Sequence, residues 1–261
     1  MKAILFDLDG VFYQGERAIE GAAKVVAWAR DRAIPHLFLT NTTSRPRSAL
    51  VDKLSGFGID TTIEHIFTPA VATVQWLQQH YPDQKVALYI PDATKAEFQQ
   101  ISQSDNVDDT VSAVVVGDLG EQWDFKTLNQ AFRYLMQNNR PQLLALGMTR
   151  YWQAADGLRL DVAPFVMALS HASGATPKVL GKPAELFYHA ALEVLGVKAA
   201  QTVMVGDDIV SDIGGAQKAG IRALLVRTGK FREDDLQGEI LPDAVLDSVL
   251  ELPDWWQTQD A

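Results

Sequence analysis

The sequence predicts an α/β fold in which a mostly parallel sheet is covered by helices on both faces and carries a central α/β insertion. Short apolar runs alternate with amphipathic stretches along nearly the whole chain, and the runs are almost continuously apolar. Such runs suit strands buried on both faces, as parallel strands are. Several of them also end directly on acidic, hydroxyl or basic residues, and ligands of open parallel sheets bind at the carboxyl ends of strands.

The first strand is expected over residues 3–7, where Ala3-Ile4-Leu5-Phe6 runs into Asp7. A helix near 21–32 follows, then a strand from Leu37 to Thr40 and helices near 46–56 and 70–80. Strands from Val86 to Ile90, Val111 to Val116 and Leu143 to Leu146 alternate with helices near 94–102, 125–138 and 162–173. The pattern resumes with a strand at Val179 to Leu180, a helix near 184–195, a strand from Val203 to Val205, a helix near 213–219 and a strand from Ala223 to Val226. Gly196 and Gly220 stand where helices should stop, and Pro183 suits a first helical turn. Polar segments around Gln78–Lys85 and Ser173–Lys178 bound the insertion. The expected division is therefore residues 1–78 and 179–261 for the main sheet, with 79–178 inserted. Trp255 and Trp256 mark a docked tail with a frayed polar tip.

The 261 residues suffice for such a core with an inserted domain, and a 47% hydrophobic fraction argues against disorder. Lys plus Arg number 23 against 33 Asp plus Glu, a net charge of −10. That balance disfavours a nucleic-acid partner, which rewards a basic surface, and an anionic substrate would need placed cations. The absence of cysteine excludes disulfides, thiolate zinc sites and a cysteine nucleophile, and fits a reducing compartment. The four-residue apolar run before Asp7 is too short for a signal-peptide core, and no stretch has the length of a membrane span. A soluble cytoplasmic protein is expected.

Four strand ends carry the chemistry. Asp7-Leu8-Asp9-Gly10 sets two carboxylates two residues apart; Gly10 suggests a turn that would let both face one pocket. Burying that pair requires a cation or a proton, so it predicts a metal, a raised carboxyl pKa in the pair, or both. Thr40-Asn41-Thr42-Thr43-Ser44 offers hydroxyl and amide donors leading into a helix, an arrangement suited to phosphate. Lys182, in Gly181-Lys182-Pro183, places a cation before a helix, and Gly206-Asp207-Asp208 with Asp212 supplies an acid cluster. Each has a plainer reading. Thr40 and Asp208 suit helix caps, and Gly-Lys-Pro alone reads as a loop. Their joint occurrence, each after an apolar strand, favours one site.

This ordered set resembles the haloacid dehalogenase superfamily of phosphohydrolases. Asp7-Leu8-Asp9-Gly10-Val11, Thr40-Asn41, Lys182, and Gly206-Asp207-Asp208 with Asp212 follow the family's motif order over the whole chain. The long interval between Thr40 and Lys182 looks like the larger α/β cap of the NagD-type and p-nitrophenyl phosphatase-like subclass. Gly157–Val162, Val205–Val210 and Val226–Phe231 look most like phospholysine phosphohistidine inorganic pyrophosphate phosphatase-like members. The resemblance implies a Rossmann-like core with an inserted cap. Asp7 would be the nucleophile that forms an aspartyl-phosphate, and Asp9 the acid that protonates the leaving group and then activates water. Mg²⁺ would be held by the Asp7 carboxylate, the Asp9 backbone carbonyl and Asp207, with Asp208 and Asp212 as outer acids orienting waters or Lys182. Thr40, the Asn41 N–H and Lys182 would bind phosphoryl oxygens. The partner implied is a small phosphorylated substrate, and a homodimer is possible in this subclass.

Within the inserted domain, Gly147-Met148-Thr149-Arg150-Tyr151-Trp152 combines cationic, hydroxyl and aromatic groups. Arg150 and Tyr151 are candidates for reading the leaving group; the competing reading packs Tyr151 and Trp152 into the cap core with Arg150 solvated. The five histidines form no metal-ligand pattern, and Trp28, Trp76, Trp123 and Phe132 read as packing residues. A P-loop is excluded: six residues separate Gly174 from Gly181, and Pro183 replaces the required hydroxyl. A dinucleotide fold is excluded because the first strand leads into Asp-Leu-Asp-Gly in place of a glycine-rich turn. The non-enzyme alternative is a phospho-accepting or phosphate-binding signalling module on a similar sheet; Asp9 and the large insertion favour turnover.

Overall fold

The computed structural model describes residues 1–154 and 156–259 and divides into two compact units. The first comprises Met1–Thr40, Arg47–Phe67 and Lys182–Ala261; the second comprises Asn41–Pro46 and Thr68–Gly181. The helix Pro69–His80 thus belongs to the second unit, whereas the polar composition had put the boundary after it, at residue 78. Thr68 caps that helix by accepting from the Val71 N–H, so the chain changes unit at the helix start.

The first unit is built on a six-stranded parallel sheet, ordered Ala244–Leu246, Arg222–Val226, Thr202–Gly206, Ala3–Asp7, His36–Leu39, Ile66–Phe67. Phe6 is level with Val205 on one side and Phe38 on the other. All five residues of Ala3–Asp7 and of Thr202–Gly206 are buried, which is why these strands read as unbroken apolar runs. Helix Ala22–Asp31 turns Ala22, Val25, Val26 and Ala29 inward, a helical stripe that joins Ile4, Phe6 and Phe38 in one core. Phe12 meets Phe6 and Phe38 edge-on, with ring centroids 5.2 and 5.3 Å apart. Truncating such a fully buried ring costs about 3–5 kcal/mol. Helix Glu185–Leu195 buries Phe187, Tyr188, Ala191 and Leu192, and Phe187 lies 5.2 Å from Phe67. The expected docked tail is the helix Leu252–Gln257, whose Trp256 packs edge-on against Trp28.

The second unit has its own four-stranded parallel sheet, ordered Lys178–Val179, Gln142–Ala145, Ala113–Val116, Val86–Tyr89. Helices Phe125–Leu135 and Val162–Ser173 press Ala131, Tyr134, Val166 and Leu169 onto it. Asp124 and Asp161 cap them through 2.7 Å bonds from the N–H groups of Thr127 and Val162. Trp123 stacks on Phe165 and Tyr89, the packing role expected of it. A separate antiparallel hairpin pairs Tyr151–Ala154 with Gly157–Leu160.

Several elements differ from the sequence expectation. The helix expected near 94–102 is a single turn, Asp92–Lys95, continued by a 3₁₀ turn to Phe98. Only Thr94 and Phe98 of this segment's turns are buried, too few to anchor a longer helix. The helix expected near 213–219 starts earlier, as a wide π turn over Ile209–Gly214, and becomes α-helical only over Gly215–Lys218. The Asp208 carboxylate sets that start by accepting from the N–H groups of Val210 and Ser211. Among the described residues, no helix is long and apolar enough to cross a membrane.

Candidate active site

Three adjacent strands, Arg222–Val226, Thr202–Gly206 and Ala3–Asp7, deliver the loops that build the site. After Asp7 the chain turns as Gly10 suggested: Gly10 has φ +91°, its N–H donates to the Tyr13 carbonyl at 2.6 Å, and Phe12 N–H bonds back to Leu8. Leu8, Val11 and Phe12 are buried by this turn. Asp7 is buried at the strand end, whereas Asp9 is exposed. The two carboxylates therefore differ in surroundings: one is fixed inside, the other open to water.

Lys182 comes from 175 residues away in sequence to place its Nζ 2.5 Å from Asp7 Oδ1 and 2.7 Å from Asp212 Oδ1. All three side chains are buried, with the lysine 6% exposed. Asp212 is itself held, since its Oδ2 accepts from the Asp208 N–H and its carbonyl accepts from the Tyr188 hydroxyl. Asp207 is 1% exposed: its Oδ2 accepts from the Lys230 N–H at 2.7 Å, and its Oδ1 is buried without a hydrogen-bond partner. Asp208 points to the rim, where its Oδ2 lies 3.2 Å from Lys230 Nζ. Thr40 closes the neighbouring strand His36–Leu39, buried, with its N–H on the Phe67 carbonyl. Asn41 falls in the second unit.

One carboxylate oxygen from each of Asp7, Asp207 and Asp212 lies within 4.8 Å of the others. Three buried carboxylates against one ammonium leave a formal charge of −2, which a low-dielectric interior tolerates poorly. The acids respond accordingly. Burial, reinforced by nearby Asp212, pushes the Asp207 carboxyl up to about 6. Burial, opposed by Lys182 and reinforced by Asp7, also takes Asp212 to about 6. Burial raises Asp7 as well; Lys182 offsets part of that rise and Asp207 adds to it. Burial works against the charge on Lys182, but Asp212 and Asp7 outweigh it and hold the ammonium firmly protonated. At Asp208 burial is overcome by the Ser211 N–H and Lys230, which leave that carboxyl below its ordinary value.

Three clustered acids with uncompensated negative charge, one of them with an orphaned buried oxygen, form an all-oxygen donor set that fits a hard divalent cation. The expected association of a cation with buried acids thus has a physical basis in three acids, Asp212 among them.

In the second unit, Tyr151 and Trp152 are about half exposed on the hairpin, which disfavours the competing reading that packs these rings into a cap core. The Arg150 guanidinium lies over the Tyr151 ring at 5.7 Å. His36, His65 and His80 take packing roles, and His171 and His189 lie exposed. His36 is buried, its ring stacks on His65 at 5.1 Å, and burial holds its imidazole below the ordinary value; His80 stacks on Trp76 at 4.1 Å.

Residues 4–102 match the family described as haloacid dehalogenase-like hydrolase, and residues 179–252 match a second, HAD-hydrolase-like family description. Human phospholysine phosphohistidine inorganic pyrophosphate phosphatase is 38% identical over 259 residues, covering 97% of this chain and 93% of that protein. This chain belongs to the haloacid dehalogenase-like hydrolase family. It is an enzyme, a hydrolase of the phosphatase-containing branch, which sets aside the signalling-module alternative. A hypothetical protein of Pyrococcus horikoshii superposes with a TM-score of 0.88 at 29% identity, covering 98% of this chain and all of that one. The p-nitrophenyl phosphatase of Archaeoglobus fulgidus also superposes with a TM-score of 0.88; at 24% identity, with 97% and 98% coverage, it shows the shared fold. The Rossmann-like core with a cap, and the likeness to phospholysine phosphohistidine inorganic pyrophosphate phosphatase, are borne out.

Proposed function

We propose that this chain is a cytoplasmic Mg²⁺-dependent phosphohydrolase that cleaves a small phosphate ester, phosphoamidate or pyrophosphate through an aspartyl-phosphate on Asp7. The observation that carries this reading is the buried Asp7 carboxylate, pinned by Lys182 to Asp212 beside the unpartnered Asp207 oxygen. Asp7 attacks phosphorus, and the bond to the leaving oxygen or nitrogen breaks as Asp9 gives that atom a proton. Asp9 then takes a proton from water, whose oxygen attacks the phosphoryl group; phosphate leaves and the Asp7 carboxylate is regenerated. The exposure of Asp9 leaves it open to the leaving group and then to the attacking water. Thr40, the Asn41 N–H and Lys182 bind phosphoryl oxygens, and the lysine, fixed by two acids, holds its charge without reorganising.

Asp7, the Asp9 carbonyl and Asp207 would hold Mg²⁺, with Asp208 and Asp212 behind them orienting waters and Lys182. When bound, the ion supplies positive charge to the transferring phosphoryl group. Phosphate release from a broad panel of phosphorylated metabolites tests the reading. Turnover is expected with added Mg²⁺, to be lost on exhaustive chelation and to return on readdition. Release that persists undiminished in chelator would sink the metal assignment; release from no compound would sink the reaction class.

Arg150 and Tyr151 are the residues we assign to substrate selection, because both lie exposed on the second unit with the cation over the ring. Replacing both with Ala is expected to change the ratios of kcat/KM among substrates by about tenfold, the scale of one lost contact to a leaving group. An unchanged ranking and spacing of substrates would remove them from that role. A homodimer belongs to the same reading, supported by exposed Tyr151, Leu158 and Leu160 on one hairpin, and sedimentation would decide it.

A further inference from the structure

The turn Thr228-Gly229-Lys230 has no part in the chemistry above, yet it makes three separate approaches to Asp207 and the Gly10 turn. The Thr228 hydroxyl donates to the Gly10 carbonyl, tying the loop after Arg222–Val226 to the loop after Ala3–Asp7. The Lys230 N–H donates to Asp207 Oδ2 at 2.7 Å. Gly229, at φ +71°, is pressed so close that a Cβ there would stand 2.0 Å from Asp207 Oδ2 and 2.6 Å from the Gly10 Cα. A Cβ on Gly10 would also stand 2.0 Å from that oxygen. The Asp207 carboxylate is thus clasped between two glycines, one oxygen on a backbone N–H and the other left buried and unpartnered.

We propose that Thr228-Gly229-Lys230 is a positioning turn that fixes the Asp207 carboxylate for a divalent cation, and that the backbone of the turn, not the lysine side chain, sets the cation affinity. The inference rests on the metal reading given above. A carboxylate free to rotate would lose ordering entropy on coordination; here one oxygen is already anchored and the other stays free to ligate. The Lys230 side chain works differently. It is 70% exposed and paired with Asp208, and as a cation near the site it opposes a second cation.

Mg²⁺ affinity measured by calorimetry on the full chain, without substrate, separates these roles. Gly229→Ala adds a methyl where none fits, at a backbone angle that disfavours it, and is expected to weaken Mg²⁺ binding by about tenfold or more. Thr228→Val removes one hydrogen bond at nearly constant shape and is expected to weaken it by about three- to tenfold. Lys230→Met keeps the N–H and removes the charge, so its Kd should stay level or tighten. Circular dichroism and unfolding in chelator identify folded variants; if Gly229→Ala does not fold, Thr228→Val carries the test. Native affinity in folded Thr228→Val and Gly229→Ala would overturn the proposal, as would Lys230→Met weakening binding as much as they do. Asp207→Asn separates the two layers. If native protein binds Mg²⁺ and Asp207→Asn does not, the metal reading stands whatever the turn variants show. If neither binds, the metal reading fails and the turn proposal with it.

Discussion

Asp7→Asn is expected to lower phosphate release by about four orders of magnitude or more while making the metal-free protein more stable. The loss follows from the nucleophile: an amide oxygen beside Lys182 keeps the shape of the site but cannot form the acyl phosphate. Little is recovered elsewhere, because Asp9, Thr40 and Lys182 act on a phosphoryl group that Asp7 must first accept. The gain follows from electrostatics. Burial raises the Asp7 carboxyl, with Lys182 offsetting part of the effect and Asp207 adding to it, so the fold prefers this side chain neutral. Asn provides that neutral state at every pH, still accepts a hydrogen bond from Lys182, and leaves Asp212 to hold the ammonium. Phosphate release and the urea midpoint in chelator, measured on one preparation, check both halves. Near-native turnover would remove Asp7 as nucleophile. A large fall in both activity and stability would mean that the ion pair with Lys182 outweighs the burial of the carboxylate.

How much of this site is legible in the sequence depends on where its residues sit. Lys182 follows only the two-residue, half-buried strand Lys178–Val179, whereas Asp7, Asp207 and Asp212 follow strands buried on both faces, which announce themselves as unbroken apolar runs. The convergence of those ends follows from parallel-sheet topology, with Thr202–Gly206 beside Ala3–Asp7. The short pairs Tyr13–Gln14 with Arg17–Ala18, and Tyr151–Ala154 with Gly157–Leu160, bury only Tyr13 and no continuous face, so periodicity passes over them. The π turn at Ile209 is invisible for another reason: one carboxylate, Asp208, accepting two N–H groups sets it, and spacing does not encode that choice. The positioning turn is the clearest omission. Val226–Phe231 stands out in sequence only as a likeness to relatives, because Gly229 and Thr228 act through close approach to Gly10 and Asp207, which appears only in three dimensions.

Asp207→Asn should reveal the cost of that positioned charge through pH. Burial, reinforced by Asp212, pushes the carboxyl up to about 6 in the fold from an ordinary 3.8. The folded state therefore binds the proton more tightly than the unfolded chain. Its contribution to stability is complete below about pH 4 and is lost as the pH rises through about 6. At about 1.4 kcal/mol per pH unit, the difference in unfolding free energy between wild type and Asp207→Asn should fall by roughly 2–3 kcal/mol between about pH 4 and pH 7.5 in chelator. His36 works in the opposite sense, since burial holds its imidazole low and its stabilisation is lost toward acid; common to both proteins, it cancels in the difference. Excess Mg²⁺ should then reverse the loss in wild type alone, by about 2.7 kcal/mol at a hundredfold excess over Kd. Urea unfolding of both proteins across that pH range, with chelator and with Mg²⁺, measures each part. A difference that stays flat with pH would mean that Asp207 is not a strained buried carboxylate. A normal pH response with equal Mg²⁺ stabilisation of both proteins would instead move the ion away from Asp207 while leaving the strain in place.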